Sequence, residues 1–393
     1  MQSTESLYLI TAIATFCFII AGIQTIYILR RKFSLKRQIK ECQNDCQPPQ
    51  PISVIVFTDK TNSCFLEQSI PAIMEQSHPD FEVIVINSDS FATTDDILTR
   101  LSIKYPSIRT TFIPDTSCNV SIRKLSATLG IKAASNELIL MTDADCIPKS
   151  KEWLTRMSQK FDGTTGAVIG YCHNGHDNTA GHRYREFDTV MTDSQYLASA
   201  IRGHAFRGDR RNLALRKSAF FDNKGYSRTM NLKYGDDDIF LNEIKRFSKI
   251  KVELSEESIL ESKYPIPANF YISDKLHRMF TIGKINPKAI IASRTMTLLR
   301  FFYLLSLACL ICAGILCLLQ NPDEWILPAI LTGYSVIIYL TEAIIHILSY
   351  RSIAKMLQAP KLFFTIPIFR VWRPIANLRF RSLASRSDNY TWE

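Results

Sequence analysis

Three long apolar runs, one near the start of the chain and two near its end, constrain the fold most. Residues 8–29 carry no charged side chain, and the runs 301–319 and 325–348 are nearly as apolar. About 20 helical residues cross a hydrocarbon core roughly 30 Å thick. The runs therefore predict an N-terminal transmembrane anchor and a C-terminal transmembrane hairpin. Because Glu342 and His346 interrupt the third run, a buried helical hairpin in a soluble domain is the alternative.

The charges around these runs predict their orientation. Lys and Arg are retained on the cytoplasmic side of membrane spans, and residues 30–40 hold six of them and no acid. Arg294 and Arg300 precede the second run. Arg351 and Lys355 follow the third. The flanks agree on a multi-pass protein of the inner (cytoplasmic) membrane whose middle portion and tail face the cytoplasm. Because the net charge of +10 is concentrated in such flanks, a nucleic-acid partner is not expected.

The middle of the chain predicts a mostly parallel α/β sheet. Four short β-branched runs predict strands, at 52–57, 81–86, 108–112 and 137–141. Helical periodicity follows the first three, at 65–76, 94–104 and 123–134. Apolar strands joined by helical crossovers imply a sheet that is covered on both faces. Such sheets bind ligands beyond the carboxyl ends of their strands.

These patterns divide the chain into five parts. They are an anchor (1–29), a basic juxtamembrane linker (30–50), an α/β domain (51–290), a transmembrane hairpin (291–350) and a basic amphipathic tail (351–393). The tail interleaves arginines with aromatic and aliphatic side chains, which suits an interfacial segment on anionic lipid. A strap that packs under the α/β domain is the alternative. Pro367 and Pro374 argue against one continuous helix there.

Two carboxylates follow the fourth predicted strand directly. Asp143 and Asp145 are separated by one residue, and side chains at i and i+2 share a face of extended chain. They can hold one divalent cation, Mg²⁺ or Mn²⁺, which keeps several non-protein ligands such as the oxygens of a diphosphate. Such a metal neutralises a diphosphate leaving group. An Asp-x-Asp also makes turns and caps helices, so the pair alone is weak support for a metal site.

Longer segments around this pair resemble family 2 glycosyltransferases. Segments 124–134 and 137–148 are similar to the region that leads into and through the metal-binding Asp-x-Asp of that family. Segment 208–218 resembles the acceptor-side segment, and 235–241 resembles the motif whose acid serves as general base. The likeness covers roughly 51–278. It implies a GT-A fold and an inverting enzyme that uses a nucleotide-sugar donor, and the membrane arrangement resembles the anchored bacterial members.

The resemblance assigns roles to the acidic residues. Asp143 and Asp145 become the metal ligands, with Asp143 also beside the donor. Asp237 becomes the general base, and Asp236 is its near rival because the alignment can slip by one residue. Like charges close together raise the pKa of at least one carboxylate, which makes it a better base. The alternative is that the acids only form the first turn of a helix.

Further candidates to bind the donor are mostly basic side chains within the matched segments. They are Lys124, Arg210, Arg211, His277 and Arg278. Arginine contacts phosphate through a bidentate fork, although single basic residues are more often surface charges. After the second strand, the family usually has acids that contact the nucleotide base. Asp89 is the carboxylate that this chain has there, displaced by one position.

The sequence also departs from the family. Residues 58–61 lack the Asn-Glu pair that usually follows the first strand, and 87–90 keep one carboxylate. The signature of processive synthases is degraded at 274–279, which disfavours a long-chain polymerase.

Two functions follow. The first is a membrane-bound inverting glycosyltransferase that moves a sugar to a cell-surface glycan or lipid-linked acceptor at the cytoplasmic leaflet. The alternative is a non-catalytic membrane scaffold that retains the fold.

Overall fold

The structure is a computed structural model that describes residues 2–43, 47–88, 92–113, 121–175, 181–265, 268–285, 287–320, 326–359 and 361–385. Its strands are β1 (Ile52–Thr58), β2 (Phe81–Asn87), β3 (Ile108–Phe112), β4 (Leu138–Asp143), β5 (Cys146–Pro148), β6 (Thr165–Ile169), β7 (Cys172–Gly175), β8 (Leu213–Arg216), β9 (Lys249–Val252) and β10 (Leu260–Pro265). Its helices are α1 (Gln2–Gln43), α2 (Leu66–Met74), α3 (Ala92–Lys104), α4 (Ile122–Ala133), α5 (Trp153–Gln159), α6 (His182–Ile201), α7 (Lys217–Asp222), α8 (Asp238–Ile244), α9 (Ala268–Thr281), α10 (Pro287–Gln320), α11 (Ile326–Met356) and α12 (Ile366–Ser385).

The main sheet has seven strands in the order β3-β2-β1-β4-β8-β6-β9. Strands β3, β2, β1 and β4 run parallel, as predicted, and the helices α2, α3 and α4 follow the first three in chain order. Strand β8 is inserted antiparallel to both β4 and β6. The predicted α/β, mostly parallel architecture is therefore confirmed, with β8, β6 and β9 as strands that were not predicted from the sequence.

Side chains of β1 alternate between two cores. Ile55 and Phe57 pack into one hydrophobic cluster, while Val54 and Val56 pack into the other. All seven residues of β1 are buried. A strand that is buried on both faces reads as a continuous apolar run, which explains why the central strands could be found from the sequence.

A second, three-stranded sheet closes the ligand-binding edge, in the order β5-β10-β7. Strand β5 begins directly after Asp145, and the main-chain N–H of Lys263 on β10 donates to the carbonyl of Asp145 at 2.8 Å. This small sheet fixes the turn that carries the two carboxylates.

Three helices are long and apolar enough to cross a membrane, in the stretches Ile10–Gln43, Arg294–Leu316 and Thr332–Met356. Only 28%, 33% and 39% of their apolar windows are buried. Most of this apolar surface faces outward, which suits lipid and disfavours the buried hairpin of a soluble domain. The helices indicate that the protein associates with membranes.

Helix α1 does not stop at the end of the apolar run. It continues to Gln43, so most of the segment predicted as a linker is helical. Two contacts hold this extension on the α/β domain: Arg31 donates to the carbonyl of Met191 at 3.0 Å, and Gln38 donates to that of Val252 at 2.8 Å. No Gly or Pro interrupts residues 30–43, so the helix has no reason to end earlier.

Residues 366–385 of the tail form one helix, contrary to the expectation drawn from its prolines. Pro367 lies in the first turn of α12, where a missing N–H leaves no helical bond unmade, and Pro374 is accommodated inside the helix. Arg370 donates to Glu342 at 2.6 Å and Arg373 to Asp188 at 2.7 Å. One face of α12 thus straps the hairpin to the α/β domain. An apolar face stays exposed, with Ile368, Trp372, Ile375 and Leu378.

Candidate active site

The first part of the site is the turn after β4. Asp143 ends that strand opposite Phe57 at the end of β1, and the N–H of Ala144 donates to the carbonyl of Phe57 at 2.9 Å. The carboxylate of Asp143 reaches the pocket described below, whereas Asp145 is buried and accepts a hydrogen bond from the Ser262 hydroxyl. Both carboxylates therefore lie at the carboxyl edge of the parallel strands, where the sequence predicts them.

The second part is the acidic triplet at the start of α8. Gly235 has φ of +97°, a backbone conformation that favours glycine, and it turns the chain into the helix. Asp237 caps α8 by accepting the N–H of Asp238 at 2.7 Å. Tyr226 fixes the preceding residue by donating to the carbonyl of Asp236 at 3.0 Å. Asp237 therefore caps the helix, and the cap holds this carboxylate at the rim of the same pocket.

Two arginines hold these carboxylates, and one of them, Arg210, joins the two parts. One guanidinium N–H of Arg210 donates to Asp143 at 2.8 Å, and another nitrogen of the same group lies 3.8 Å from Asp236. The guanidinium also stacks over the ring of Phe57, 4.4 Å from its centroid. From α4, the Nε of Arg123 donates to both oxygens of Asp236, at 3.1 and 3.2 Å. The carboxylates that are far apart in sequence therefore converge at one place.

A pocket of about 100 Å³ opens between these groups. We call it the catalytic cleft. It is lined by Asp143, Arg123, Arg211, Tyr234, Asp236, Asp237, Asp238, His277 and Arg278, among others. The cleft has carboxylates on two walls and basic or aromatic side chains on the others. This arrangement suits a phosphate-bearing ligand and a cation.

The triplet contains two acids with opposite pKa shifts. Burial, followed by the neighbouring charges of Asp238 and Asp236, raises the pKa of Asp237 to about 8. Burial would also raise the pKa of Asp236, but the Arg123 and Arg210 guanidiniums outweigh it and lower that pKa below its ordinary value. Asp237 is therefore the group whose proton affinity suits a general base, while Asp236 remains an ionised partner for the arginines.

The remaining predicted donor-binding residues differ in how they are held. Arg211 is clamped by Asp209 at 2.6 Å, and Arg278 by Asp274 at 2.6 Å. His277 stacks on Tyr234 with ring centroids 3.4 Å apart. Burial lowers the pKa of His277 to about 4, so it is neutral at neutral pH and offers a hydrogen bond or a stacking face rather than a charge.

The structure does not bring Lys124 to the cleft. Lys124 is completely buried and donates to the carbonyls of Thr229 and Leu232, so it supports the loop before the triplet instead of contacting a ligand. Asp89 lies outside the described residues. Sequence reasoning missed Arg123, the immediate neighbour of Lys124. The available signal was its place at the start of the predicted helix 123–134, one residue before the matched segment, but only the direction in which each side chain leaves α4 separates the two.

The side chains at the turn after β4 supply only some of the ligands that a divalent cation needs. Asp143 and Asp145 supply hard carboxylate oxygens of the kind that Mg²⁺ and Mn²⁺ prefer. Within the described ranges, no three His, Cys, Asp or Glu side chains form a cluster that could hold a metal. The remaining ligands would have to come from a diphosphate and water. Since Arg210 already neutralises one oxygen of Asp143, a bound cation would share that carboxylate with the guanidinium.

Residues 53–231 match the profile of the family described as "Glycosyl transferase family 2". The chain contains a family 2 glycosyltransferase domain. The matched region includes the first eight strands and both Asp143 and Asp145, and it ends before the acidic triplet. Membership of this region in the family supports a glycosyl transfer function. No curated protein sequence matches the chain significantly.

Solved structures of glycosyltransferases resemble the family 2 domain and its helices. The mannosyltransferase PcManGT from Pyrobaculum calidifontis, solved with GDP-Man and Mn²⁺, is 15% identical, with 93% of this chain and 99% of that chain covered and a TM-score of 0.56. TarS 1-349 of S. aureus is 15% identical, with 86% of this chain and 91% of that chain covered and a TM-score of 0.41. At this identity the likeness to PcManGT establishes the GT-A fold alone.

Proposed function

We propose that this protein is a membrane-bound inverting glycosyltransferase, which moves a sugar from a nucleotide-diphosphate donor to a cell-surface glycan or lipid-linked acceptor at the cytoplasmic leaflet. The observation that carries the proposal is the meeting of Asp143 with Asp236 and Asp237 around one cleft, bridged by Arg210. A scaffold that had lost catalysis would have no need of this arrangement.

The donor diphosphate would lie against Asp143 and Asp145 through a shared cation. Mg²⁺ or Mn²⁺ bound there supplies charge neutralisation for the departing diphosphate. Mn²⁺ in the PcManGT complex is consistent with this choice. The arginines at the wall of the cleft, Arg211 and Arg278, are fixed by acidic partners and present their remaining N–H groups to phosphate oxygens.

The acceptor would be activated by Asp237. Its carboxylate takes the proton of the acceptor hydroxyl while the hydroxyl oxygen attacks the anomeric carbon and the bond to the diphosphate breaks on the opposite face. A single displacement of this kind inverts the anomeric centre and needs no covalent enzyme intermediate. Asp236 stays ionised beside Arg123 and Arg210, so its role is to keep these guanidiniums aligned within the cleft.

The proposed orientation places the cleft on the cytoplasmic side. The basic residues at the cytoplasmic flanks of the three apolar helices support it, because such flanks are retained inside. Nucleotide sugars are then available to the cleft from the cytoplasm, and an acceptor in the inner (cytoplasmic) membrane lies next to it.

A thermal-shift panel tests the proposal on the purified full-length protein. Nucleoside diphosphates are added with and without Mn²⁺, and one of them is expected to raise the melting temperature only with the metal. Asp143→Asn should abolish this shift, because it removes a metal ligand. Asp222→Asn, a substitution of an exposed aspartate on α7, should leave the shift intact. If no nucleotide stabilises the protein under any condition, the scaffold becomes the better interpretation.

A further inference from the structure

Two more pockets continue the catalytic cleft towards the membrane-spanning helices. The first, the middle pocket, has a volume of about 90 Å³ and shares Thr189, Arg207 and Asp238 with the cleft. The second, the basal pocket, shares Gln195, Arg373 and Asn377 with the middle pocket. The basal pocket is defined by Gln24, Arg31, Arg300, His346, Arg370 and Arg373. The shared lining residues set the three pockets side by side, in order from the acidic triplet to the ends of the spans.

The basal pocket holds more positive than negative charge. Glu342 accepts hydrogen bonds from Arg300 at 2.9 Å and from Arg370 at 2.6 Å. Asp188 is shared between Arg373 at 2.7 Å and Lys275 at 2.6 Å. Two carboxylates thus serve these four cations. Burying uncompensated charge is costly, so this excess favours an anionic ligand.

Arg31 adds a fifth cation to the same place. Its guanidinium donates to the carbonyl of Met191 at 3.0 Å and to the hydroxyl of Ser194 at 3.3 Å, and within the described ranges it has no carboxylate partner. Burial, and next the charge of Arg300, lowers the pKa of Arg370 to about 10, which is a further sign of crowded cations.

Among the described residues, several buried donors in the basal pocket lack an acceptor. The Nε and Nη2 atoms of Arg300 and the Nε2 atom of Gln24 have no hydrogen-bond partner there, although these side chains are only 6% and 7% exposed. The buried Nε2 atom of His346 lies 3.6 Å from Glu342, beyond hydrogen-bond distance. Buried donors in native proteins are almost always satisfied. A tetrahedral phosphate group, with several oxygens in a small volume, suits donors that converge in this way.

The position of the pocket indicates where such a phosphate comes from. Arg300 belongs to the span Arg294–Leu316 and His346 to the span Thr332–Met356, each near the end that carries the basic flank. In the proposed orientation, this end of the spans faces the lipid headgroups of the cytoplasmic leaflet. The middle pocket is different in character, because charged side chains of both signs line it beside the aromatic rings of Tyr196 and Tyr271 and the polar side chains of Thr192 and Gln195. Such walls suit a sugar or a hydroxyl-bearing group.

We infer that the basal pocket binds the phosphate group of a membrane-embedded lipid acceptor, whose hydroxyl-bearing end reaches Asp237 through the middle pocket. The inference rests on the proposed function and specifies its acceptor class: a lipid that carries a phosphate. A neutral glycolipid would leave the guanidiniums of the basal pocket without a counter-charge.

The binding test uses the full chain in phosphatidylcholine nanodiscs and three probes: dodecyl phosphate, dodecanol and inorganic phosphate. Dodecyl phosphate is expected to bind at least about tenfold more tightly than the other two. The double variant Arg300→Gln/Glu342→Gln removes one buried cation and one buried carboxylate, so the net charge of the basal pocket is kept while the donors of Arg300 are lost, and it should weaken this binding at least about tenfold. Arg294→Gln, an exposed arginine on the same helix, is the matched control and should bind as the unmodified protein does.

The outcomes separate this inference from the proposed function. Loss of dodecyl phosphate binding in the double variant, with the metal-dependent nucleotide stabilisation kept, supports the basal pocket. If inorganic phosphate binds as tightly as dodecyl phosphate, or if dodecyl phosphate binds the double variant unchanged, the lipid phosphate site is overturned. Nucleotide stabilisation that is kept in the same experiments leaves the enzyme assignment standing.

Product analysis tests the acceptor role itself. Labelled nucleotide sugar is incubated with the protein and a total lipid extract, and the labelled lipid is passed over an anion exchanger. Retention of the labelled product supports a phosphate-bearing acceptor, and kcat/KM for the extract should fall at least about tenfold in the double variant. Label found only in unretained neutral lipid overturns the inference.

Discussion

The catalytic cleft and the basal pocket have opposite charge balances. In the cleft the acids Asp143, Asp236, Asp237 and Asp238 gather around a few arginines, whereas in the basal pocket arginines gather around Glu342 and Asp188. Both are partly buried, so neither imbalance is well screened by water. The difference indicates that each site is completed by a partner of the missing charge: a cation in the cleft and an anionic group at the membrane.

The largest effect is expected for the proposed base. Asp237→Asn removes the proton acceptor, and transfer should fall by about 10²–10⁴-fold in kcat. Because the amide still accepts the N–H of Asp238, the helix cap should persist. The measurement is the rate of labelled product formation, alongside metal-dependent nucleotide stabilisation as a check of folding. A variant that keeps full kcat would move the base to another acid of the triplet.

The next largest effect is expected for Arg210, the arginine that joins the two acidic groups. Arg210→Met removes the ion pair of the partly buried Asp143 and one of the guanidiniums beside the buried Asp236, and we expect a loss of about 3 kcal/mol in the free energy of unfolding. Denaturant melts of the detergent-solubilised protein measure it. Arg228→Met, at an exposed position, is the control and should change little. If both variants are equally stable, the acids of the cleft do not need this guanidinium.

The pH dependence tests the difference between Asp236 and Asp237. A general base acts only when it is deprotonated. Burial and the charges of Asp238 and Asp236 raise the pKa of Asp237 to about 8, although Arg123 and Arg207 oppose this shift. The transfer rate should therefore rise by about tenfold per pH unit below pH 8 and level off above it. A rate already constant from pH 5 upward would argue for Asp236, whose pKa is low.

The smallest effect is expected in the basal pocket, when the carboxylate of Glu342 is removed. Glu342→Gln removes a negative charge from beside Arg300 and Arg370, so the basal pocket becomes more positive. Dodecyl phosphate should then bind a few-fold more tightly, by about 1 kcal/mol. Titration of the variant in nanodiscs measures this, together with a melting curve in the absence of the probe. Weaker binding in a variant that is still folded would mean that Glu342 positions the arginines rather than competing with the ligand.

Much of the fold could be predicted because its signals are local. A strand buried on both faces must be apolar throughout, so β1, β2 and β4 are visible in the sequence. A membrane span must be long and uncharged, so the three apolar helices are visible as well. Strand β8 was missed because it is short and its antiparallel pairing with β4 depends on residues far away in the chain.

Only some residues of the site could be predicted from the sequence. Asp143 and Asp145 follow a recognisable strand, and parallel strands bring their carboxyl ends to one edge, so the position of these acids could be inferred. The choice between Lys124 and Arg123 could not, because adjacent residues on a helix point in different directions and only the packing of α4 decides which one meets Asp236. The continuity of α12 through Pro374 likewise depends on the ion pairs that hold it to Glu342 and Asp188.

The sequence by itself determined the layers of this protein: where it is apolar enough for lipid, where its sheet lies and which acids stand at the ends of strands. The tertiary structure decided which charges meet. Arg210 lies between Asp143 and Asp236, and Arg300 lies beside Arg370, although long stretches of chain separate these residues. Hydrophobic periodicity acts over neighbouring residues, whereas the electrostatic character of a pocket arises from side chains that folding brings within a few ångströms of one another.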